Sequence, residues 1–252
     1  MKIGATVSEE QTHKKVVAAQ VRSLVASYLD AISFASDRVL FLDRIEQLSA
    51  IIALWGARMN VTAEPGDPQE LAFHIIDSLI PVIFANGDES LQHAFRAGNQ
   101  VLDLGSGAGF PALVLASATP ANFTLIESRR KRASFLAVAA ADMDLRNVVV
   151  ESRRIKPERA SSSPSREHAQ VKGLDGFDVV TARGYAQPPA FHPVAASALR
   201  AGGIAILYAS SGQNLALPEA EKHGLYQFRP IAYMIPRGGR VVKRILGLWR
   251  RR

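Results

Sequence analysis

The 252-residue chain contains no cysteine, which excludes disulfides, thiolate metal sites and a cysteine nucleophile at once. Its six histidines show no metal-ligand spacing, so no metal is expected. Long apolar runs are missing too. None approaches the roughly 18 residues of a membrane span, and an N-terminus carrying Lys2, Glu9, Glu10, Lys14 and Lys15 lacks the apolar core of a signal peptide. A cytosolic protein, monomeric by default, is expected. With 48% hydrophobic residues the chain suits one α/β domain with an accessory segment.

The third glycine of the dinucleotide fingerprint is also missing. In Gln100-Val-Leu-Asp-Leu-Gly-Ser-Gly-Ala-Gly-Phe-Pro111 a short apolar strand enters a turn built on Gly105, Gly107 and Gly109, but Phe110 stands where that fingerprint needs glycine. This disfavours NAD. The next apolar run, Phe123-Thr-Leu-Ile126, ends in Glu127, about 20 residues on, where doubly wound folds hold ribose hydroxyls on an acid. Asp103 adds a carboxylate suited to a cationic ligand group. A nucleoside with a sulfonium and no phosphate, S-adenosylmethionine, fits this acid-glycine-acid set best.

Acidic residues vanish from the last stretch. Arg237, Arg240, Lys243, Arg244, Arg250, Arg251 and Arg252 form a surplus equal to the whole net charge of +7. Arg129, Arg130, Lys131 and Arg132 make a second basic cluster beside the glycine turn. A polyanion, and RNA before membrane, is the natural partner.

In chain order, residues 1–13 are polar and expected to fray, and helical periodicity covers 16–29 and 39–54, with Ser36 and Asp37 as caps. A further helix runs from Leu71 to Phe84 and carries His74 and Asp77, which by themselves read as a cap or an i,i+3 pair. Residues 1–85 are therefore expected as an N-terminal helical extension and 86–252 as a Rossmann-like domain. Strands at 100–104, 122–127, 147–151, 177–181, 204–208, 226–235 and 241–248 alternate with helices early and form a hairpin late. They predict an α/β fold whose mostly parallel seven-stranded sheet ends in an antiparallel edge hairpin. Residues 156–176 read as an exposed loop and 249–252 as a basic tail.

Ligands of such sheets lie beyond the carboxyl ends of the strands. There the fourth strand ends in Arg183, not in the Asn or Asp followed by prolines that amine methylation uses, and no thiolate exists to attack a pyrimidine. A target that owns an in-plane lone pair, such as guanine N7, needs only positioning. Arginine suits its Hoogsteen edge, a phosphate or the methionine carboxylate. The plain alternative for Arg183 is an ion pair with Asp178 or another acid.

Taken together, Met59-Asn-Val-Thr62, His74-Ile-Ile-Asp-Ser-Leu79, the glycine turn, Phe123-Thr-Leu-Ile-Glu-Ser128 with Lys131-Arg132 and Phe135-Leu136, Glu151-Ser-Arg153 and Phe177-Asp-Val-Val-Thr-Ala-Arg183 resemble the ribosomal RNA small subunit methyltransferase G (glucose-inhibited division protein B) family. The resemblance spans about Met59 to Lys243. It implies a class I S-adenosylmethionine-dependent methyltransferase acting on guanine N7 in 16S rRNA, with free rRNA or the small ribosomal subunit as partner. Beside the cofactor contacts Asp103, Gly107 and Glu127 read from the acid-glycine-acid set, it implies contacts at Gly105, Phe110, Arg154, Ile155 and Arg183, and a catalytic neighbourhood of Arg183, His74 and Asp77. Arg129, Arg130, Lys131, Arg132, Arg240 and Lys243 are the expected RNA contacts. Ser211-Gly212 replaces the family's expected Lys-Gly, and Lys131 or Lys243 is expected to compensate. Two other readings are weighed: a cofactor- and RNA-binding protein without turnover, and a NAD(P)-dependent oxidoreductase, which Phe110 and Asp103 disfavour.

Overall fold

A computed structural model describes residues 3–32, 34, 37–59, 63–87, 89–155, 173–213, 215 and 218–252. The loop expected at 156–176 falls largely outside them, as do Ser36 and Asn60 to Thr62. Three helices lead the chain: α1 (Ile3–Asp30), α2 (Arg38–Met59) and α3 (Pro68–Ile83). The stretch expected to fray instead begins α1, because residues 9–15 are mostly good helix formers. Asp37 caps α2 by accepting from the Leu40 amide at 3.1 Å, and Asp67 caps α3 by accepting from the Gln69 and Glu70 amides, just ahead of Pro68. His74 and Asp77 are thus interior residues of α3, not its cap.

After a 3-10 turn (Phe84–Gly87) and α4 (Glu89–Ala94), the chain alternates: β1 (Gln100–Leu104), α5 (Ala112–Ala118), β2 (Asn122–Glu127), α6 (Arg130–Asp142), β3 (Val148–Ser152), β4 (Phe177–Arg183), α7 (Pro188–Ala198) and β5 (Leu199–Ser210). A short α8 (Pro218–Lys222) precedes β6 (Leu225–Arg237) and β7 (Arg240–Arg251). The sheet order is β3-β2-β1-β4-β5-β7-β6, parallel from β3 to β5, with β7 antiparallel to both β5 and β6. Strand order reverses between β1 and β4, so their carboxyl ends frame the place where a ligand crevice opens.

Strand residues alternate between two cores, as a covered sheet requires. Val101 and Val179 pack toward α1, α2, α3, α5 and α6, while Leu102, Leu104 and Val180 pack toward α7. Buried residues of α1 to α3 belong to the first core together with those of the sheet. Arg44 of α2 fastens this layer: its guanidinium donates to the carbonyls of Met143 (3.1 Å) and Asp144 (3.2 Å) at the end of α6, where carbonyls lack partners.

Two boundaries differ from expectation. β5 begins at Leu199, through the expected turn, and residues 249–251 are not a tail but the end of β7. Trp249 is wholly buried between Phe191 and His192 of α7, with its ring edge-on to His192 at 4.6 Å. Apolar burial of this ring outweighs the solvation of its arginine neighbours. Trp249→Ala is therefore expected to lower stability by about 3–5 kcal/mol, read as a lower urea midpoint. A change under about 1 kcal/mol would restore the reading of this end as a tail.

Candidate active site

The turn after β1 can exist only with glycine at its two crowded points. Gly105 has φ 71°, and a Cβ there would lie 2.9 Å from the Tyr185 ring. Gly109 has φ 90°, and its Cβ would meet the Leu113 side chain at 2.5 Å. The turn closes onto β2: the amides of Gly105 and Ser106 donate to the Ile126 carbonyl at 2.9 and 3.2 Å. Glu127, 5% exposed, then accepts from the Gly107 amide (3.1 Å) and from the Arg129 amide that opens α6 (2.8 Å). One carboxylate thereby fixes the turn and the neighbouring helix start, where the dipole favours negative charge.

A crevice of about 470 Å³ opens over these groups, with Gly105, Glu127, Arg129, Arg132, Arg154 and Ile155 among its walls. Ile126, Ser128, Arg153, Gly184 and Tyr185 complete it. A second cavity of about 700 Å³ lies between α3 and the strand ends, bordered by His74, Asp77, Arg183, Tyr208, Lys243 and Arg244. Gly184 belongs to both walls, so the two spaces adjoin at the end of β4.

Asp77 organises the larger cavity. Its buried carboxylate accepts from Tyr233 Oη at 2.6 Å, from Arg183 Nη1 at 3.1 Å, and from Arg244 through Nε at 3.2 Å and Nη2 at 3.1 Å. Burial opposes ionisation, but Arg183 and Arg244 outweigh it and hold the carboxyl below its ordinary range. Arg183 also donates to the His74 carbonyl at 3.1 Å and lies over the Phe110 ring, 5.0 Å from its centroid. Burial, with the Arg183 charge next, drives His74 down to about 3, so its imidazole is neutral near pH 7. Tyr208 ties β5 to α3 by donating to the Ser78 carbonyl at 2.8 Å.

The family model for rRNA small subunit methyltransferase G matches residues 42–228. The chain belongs to the rRNA small subunit methyltransferase G family. A relative of that name from Acidiphilium cryptum is 38% identical over 181 residues, 70% of this chain and 71% of its own. One from Myxococcus xanthus is 30% identical over 203 residues, covering 78% and 82%. Among solved structures, one from Galdieria sulphuraria described as a sarcosine dimethylglycine methyltransferase superposes with TM-score 0.50 at 12% identity, covering 73% of this chain and 88% of its own. The fold is that of the class I S-adenosylmethionine-dependent methyltransferases.

In this member of the methyltransferase G family the expected site residues divide between the two spaces. Gly105, Glu127, Arg154 and Ile155 line the crevice, and Gly107 touches it through its bond to Glu127. Phe110 lies at 5.3 Å from the His74 ring and under Arg183, so it packs between α3 and β4. Arg183 faces the larger cavity with His74 and Asp77, and its acid partner is Asp77; Asp178 pairs with Arg200 instead. Of the basic residues, Arg129 and Arg132 line the crevice and Lys243 lines the cavity. Arg130, Lys131 and Arg240 are exposed and line neither.

Asp103 departs from the expected ligand-facing role. It is fully buried beneath the turn and absent from both walls; Oδ1 accepts from Thr181 Oγ1 at 2.6 Å and Oδ2 has no partner. The inward side of β1 takes it into the core, where burial pushes its carboxyl up to about 6. Tyr208, Tyr233 and Arg244 escaped sequence reasoning as site residues. The available signal was a tyrosine at an inward position of β6, between Ile231 and Ile235, whose hydroxyl needed a buried partner.

Asp103 binds its proton more tightly folded than unfolded. It therefore favours the fold below about pH 4, and that contribution is lost as the pH rises through about 6. Asp103→Asn keeps the acceptor for Thr181 and carries no charge. The variant is expected to be more stable than the parent at pH 7 by up to about 3 kcal/mol, with the difference shrinking toward pH 4. Urea unfolding at the two pH values checks this; a difference independent of pH refutes it.

Proposed function

We propose that this chain transfers the methyl group of S-adenosylmethionine to N7 of a guanine in 16S rRNA. The carrying observation is the junction at Gly184, where a nucleoside-sized crevice meets a larger, cation-rich cavity. The crevice suits the cofactor. Glu127 has unused lone pairs for ribose hydroxyls, and Gly105 and Ile155 offer an apolar wall to a base. No phosphate cradle competes, since Phe110 and Pro111 precede an α5 whose residues are all buried and line neither space. When bound, S-adenosylmethionine supplies an electrophilic methyl on a sulfonium.

The cavity supports an acceptor that needs no deprotonation. Asp77 is committed to three donors, and His74, at about 3, is too weak a base to remove a proton from an amine. Guanine N7 attacks with a lone pair already in the ring plane. Charge then moves from sulfur to purine without changing in total, so positioning is the main demand on the protein. Arg183, fixed by Asp77 and by the His74 carbonyl, stands beside the junction as the group that orients the acceptor.

The rRNA backbone is proposed to run over Arg129, Arg130, Lys131, Arg132 and Arg240, in the cytoplasm and on a monomer. Lys243 supplies the cation that Ser211 does not. Ser210, next to Ser211, is the cross-strand partner of Arg244, and Lys243 lines the same cavity as Ser210. Lys131 lines neither space and is not needed for this.

Small ribosomal subunits, and separately their naked rRNA, incubated with methyl-labelled cofactor test the reading. Label is expected in 7-methylguanosine after nuclease digestion; label in another nucleoside, or none in either substrate, overturns it. RNA affinity should fall steeply with salt, and Arg129→Ala with Arg132→Ala should make the log-log slope less negative by about 1–2. An unchanged slope would move the backbone path elsewhere.

A further inference from the structure

We infer that the side-chain amides of Gln187 and Gln213 form the element that selects guanine over adenine in the larger cavity. This rests on the reading of that cavity as the acceptor site. Both residues line it, and Gln187 lies three positions after Gly184, the residue shared with the crevice. Gln213 Nε2 donates to Gln187 Oε1 at 2.9 Å, joining the turn after β5 to the loop after β4.

Gln187 occupies the N-cap position of α7 but its side chain caps nothing, because Pro188 and Pro189 have no amide hydrogens to offer. The Ala190 and Phe191 amides are met by the Gln187 main-chain carbonyl instead. Its amide is therefore free to take another partner, and it takes Gln213. The pair leaves the Gln187 Nε2 hydrogens as donors and Gln213 Oε1 as an acceptor.

Guanine presents the complement along its Watson–Crick edge: O6 accepts while N1–H and the 2-amino group donate. Adenine presents the reverse, a 6-amino donor beside an N1 acceptor. Most of the cavity's other side chains offer donors alone or are already engaged. Arg183, Arg237, Lys243 and Arg244 only donate, Asp77 is fully engaged and Tyr208 is spent on Ser78; Ser210 and His74 can accept, but neither belongs to a hydrogen-bonded pair of amides as Gln187 and Gln213 do. Gln213, in the turn after β5, offers N1–H an amide acceptor already held by its bond to Gln187. A site that leaves a hydrogen-bonding group of the wrong base unpaired discriminates strongly.

The test is calorimetric titration of GMP and of AMP into the full chain saturated with S-adenosylhomocysteine, for the parent, Gln213→Glu and Gln187→Glu. Gln213→Glu gives up the Nε2–H bond to Gln187 Oε1 but is acceptor-only toward N1–H and the 2-amino group, so preference for GMP is expected to persist. Glutamate at 187 sets an acceptor against O6, and GMP affinity is expected to fall tenfold or more, erasing the preference. Opposite outcomes from the same chemical change at an exposed and a half-buried position cannot come from unfolding, and S-adenosylhomocysteine affinity and melting temperature control for it. Equal binding of GMP and AMP by the parent, no GMP binding at 10 mM (roughly a 3 kcal/mol limit), or parallel responses of the two variants would overturn the inference. The methylation assay separates this from the function: GMP preference with the predicted opposite responses, in a chain that labels no rRNA, supports the amide pair while removing the proposed reaction.

Discussion

One buried carboxylate, Asp77, holds together the parts that define the larger cavity. Its two oxygens receive Arg183 from β4, Arg244 from β7 and Tyr233 from β6 while it sits on α3. Two guanidinium groups this close repel one another, and neither is solvated enough to tolerate the other unaided, with side-chain exposures of 13% and 16%. The anion between them makes the arrangement possible. Removing one partner of such a cluster costs far more than the cluster contributes, because the remaining charges stay buried. Asp77 thus acts as a fastener between the leading helices and the sheet edge, and the cavity exists because α3 is held there.

Glu127 does the corresponding job on the other side of Gly184, with neutral rather than charged donors. It takes two main-chain amides, one from the glycine turn and one from the start of α6, and so gives both a partner. The two acids divide the chemistry. Glu127 retains acceptor capacity toward a ligand, whereas Asp77 is saturated by protein. That asymmetry fits the proposed roles, a ligand group for the carboxylate at the crevice and a positioning group for Arg183 in the cavity.

The sheet, its order of elements and its glycine turn were legible because they rest on local signals: apolar runs, a two-residue period and residues that alone tolerate positive φ. Gly105, Glu127, Arg154 and Ile155 follow from strand ends, which sequence marks well. The tail was misjudged because four arginines in residues 244–252 hide one tryptophan, and a single fully buried ring decides the strand. Asp103 was misjudged for a related reason. A carboxylate beside a glycine turn reads as ligand-facing, but strand alternation turns it to the side of Val101, into the core. The Asp77 cluster joins residues more than 100 positions apart, from four elements, and no local pattern announces such a meeting.

Ser211, just after β5, where the family resemblance leads one to expect lysine, follows the same logic. On the proposed reading, a cation near the acceptor can come from any element that borders the cavity, and β7 runs antiparallel to β5 with Arg244 opposite Ser210. Lys243, on β7 next to Arg244, lines the same cavity as Ser210 at the end of β5. Because Arg183 and Arg244 are both bound to Asp77, the fixed cluster already carries one unit of positive charge in excess, and Lys243 adds a second on a flexible stem. The fixed charge sets a potential that draws in a polyanion, while the mobile one adapts to the phosphate that arrives. On this argument the serine costs the site a contact but not its sign.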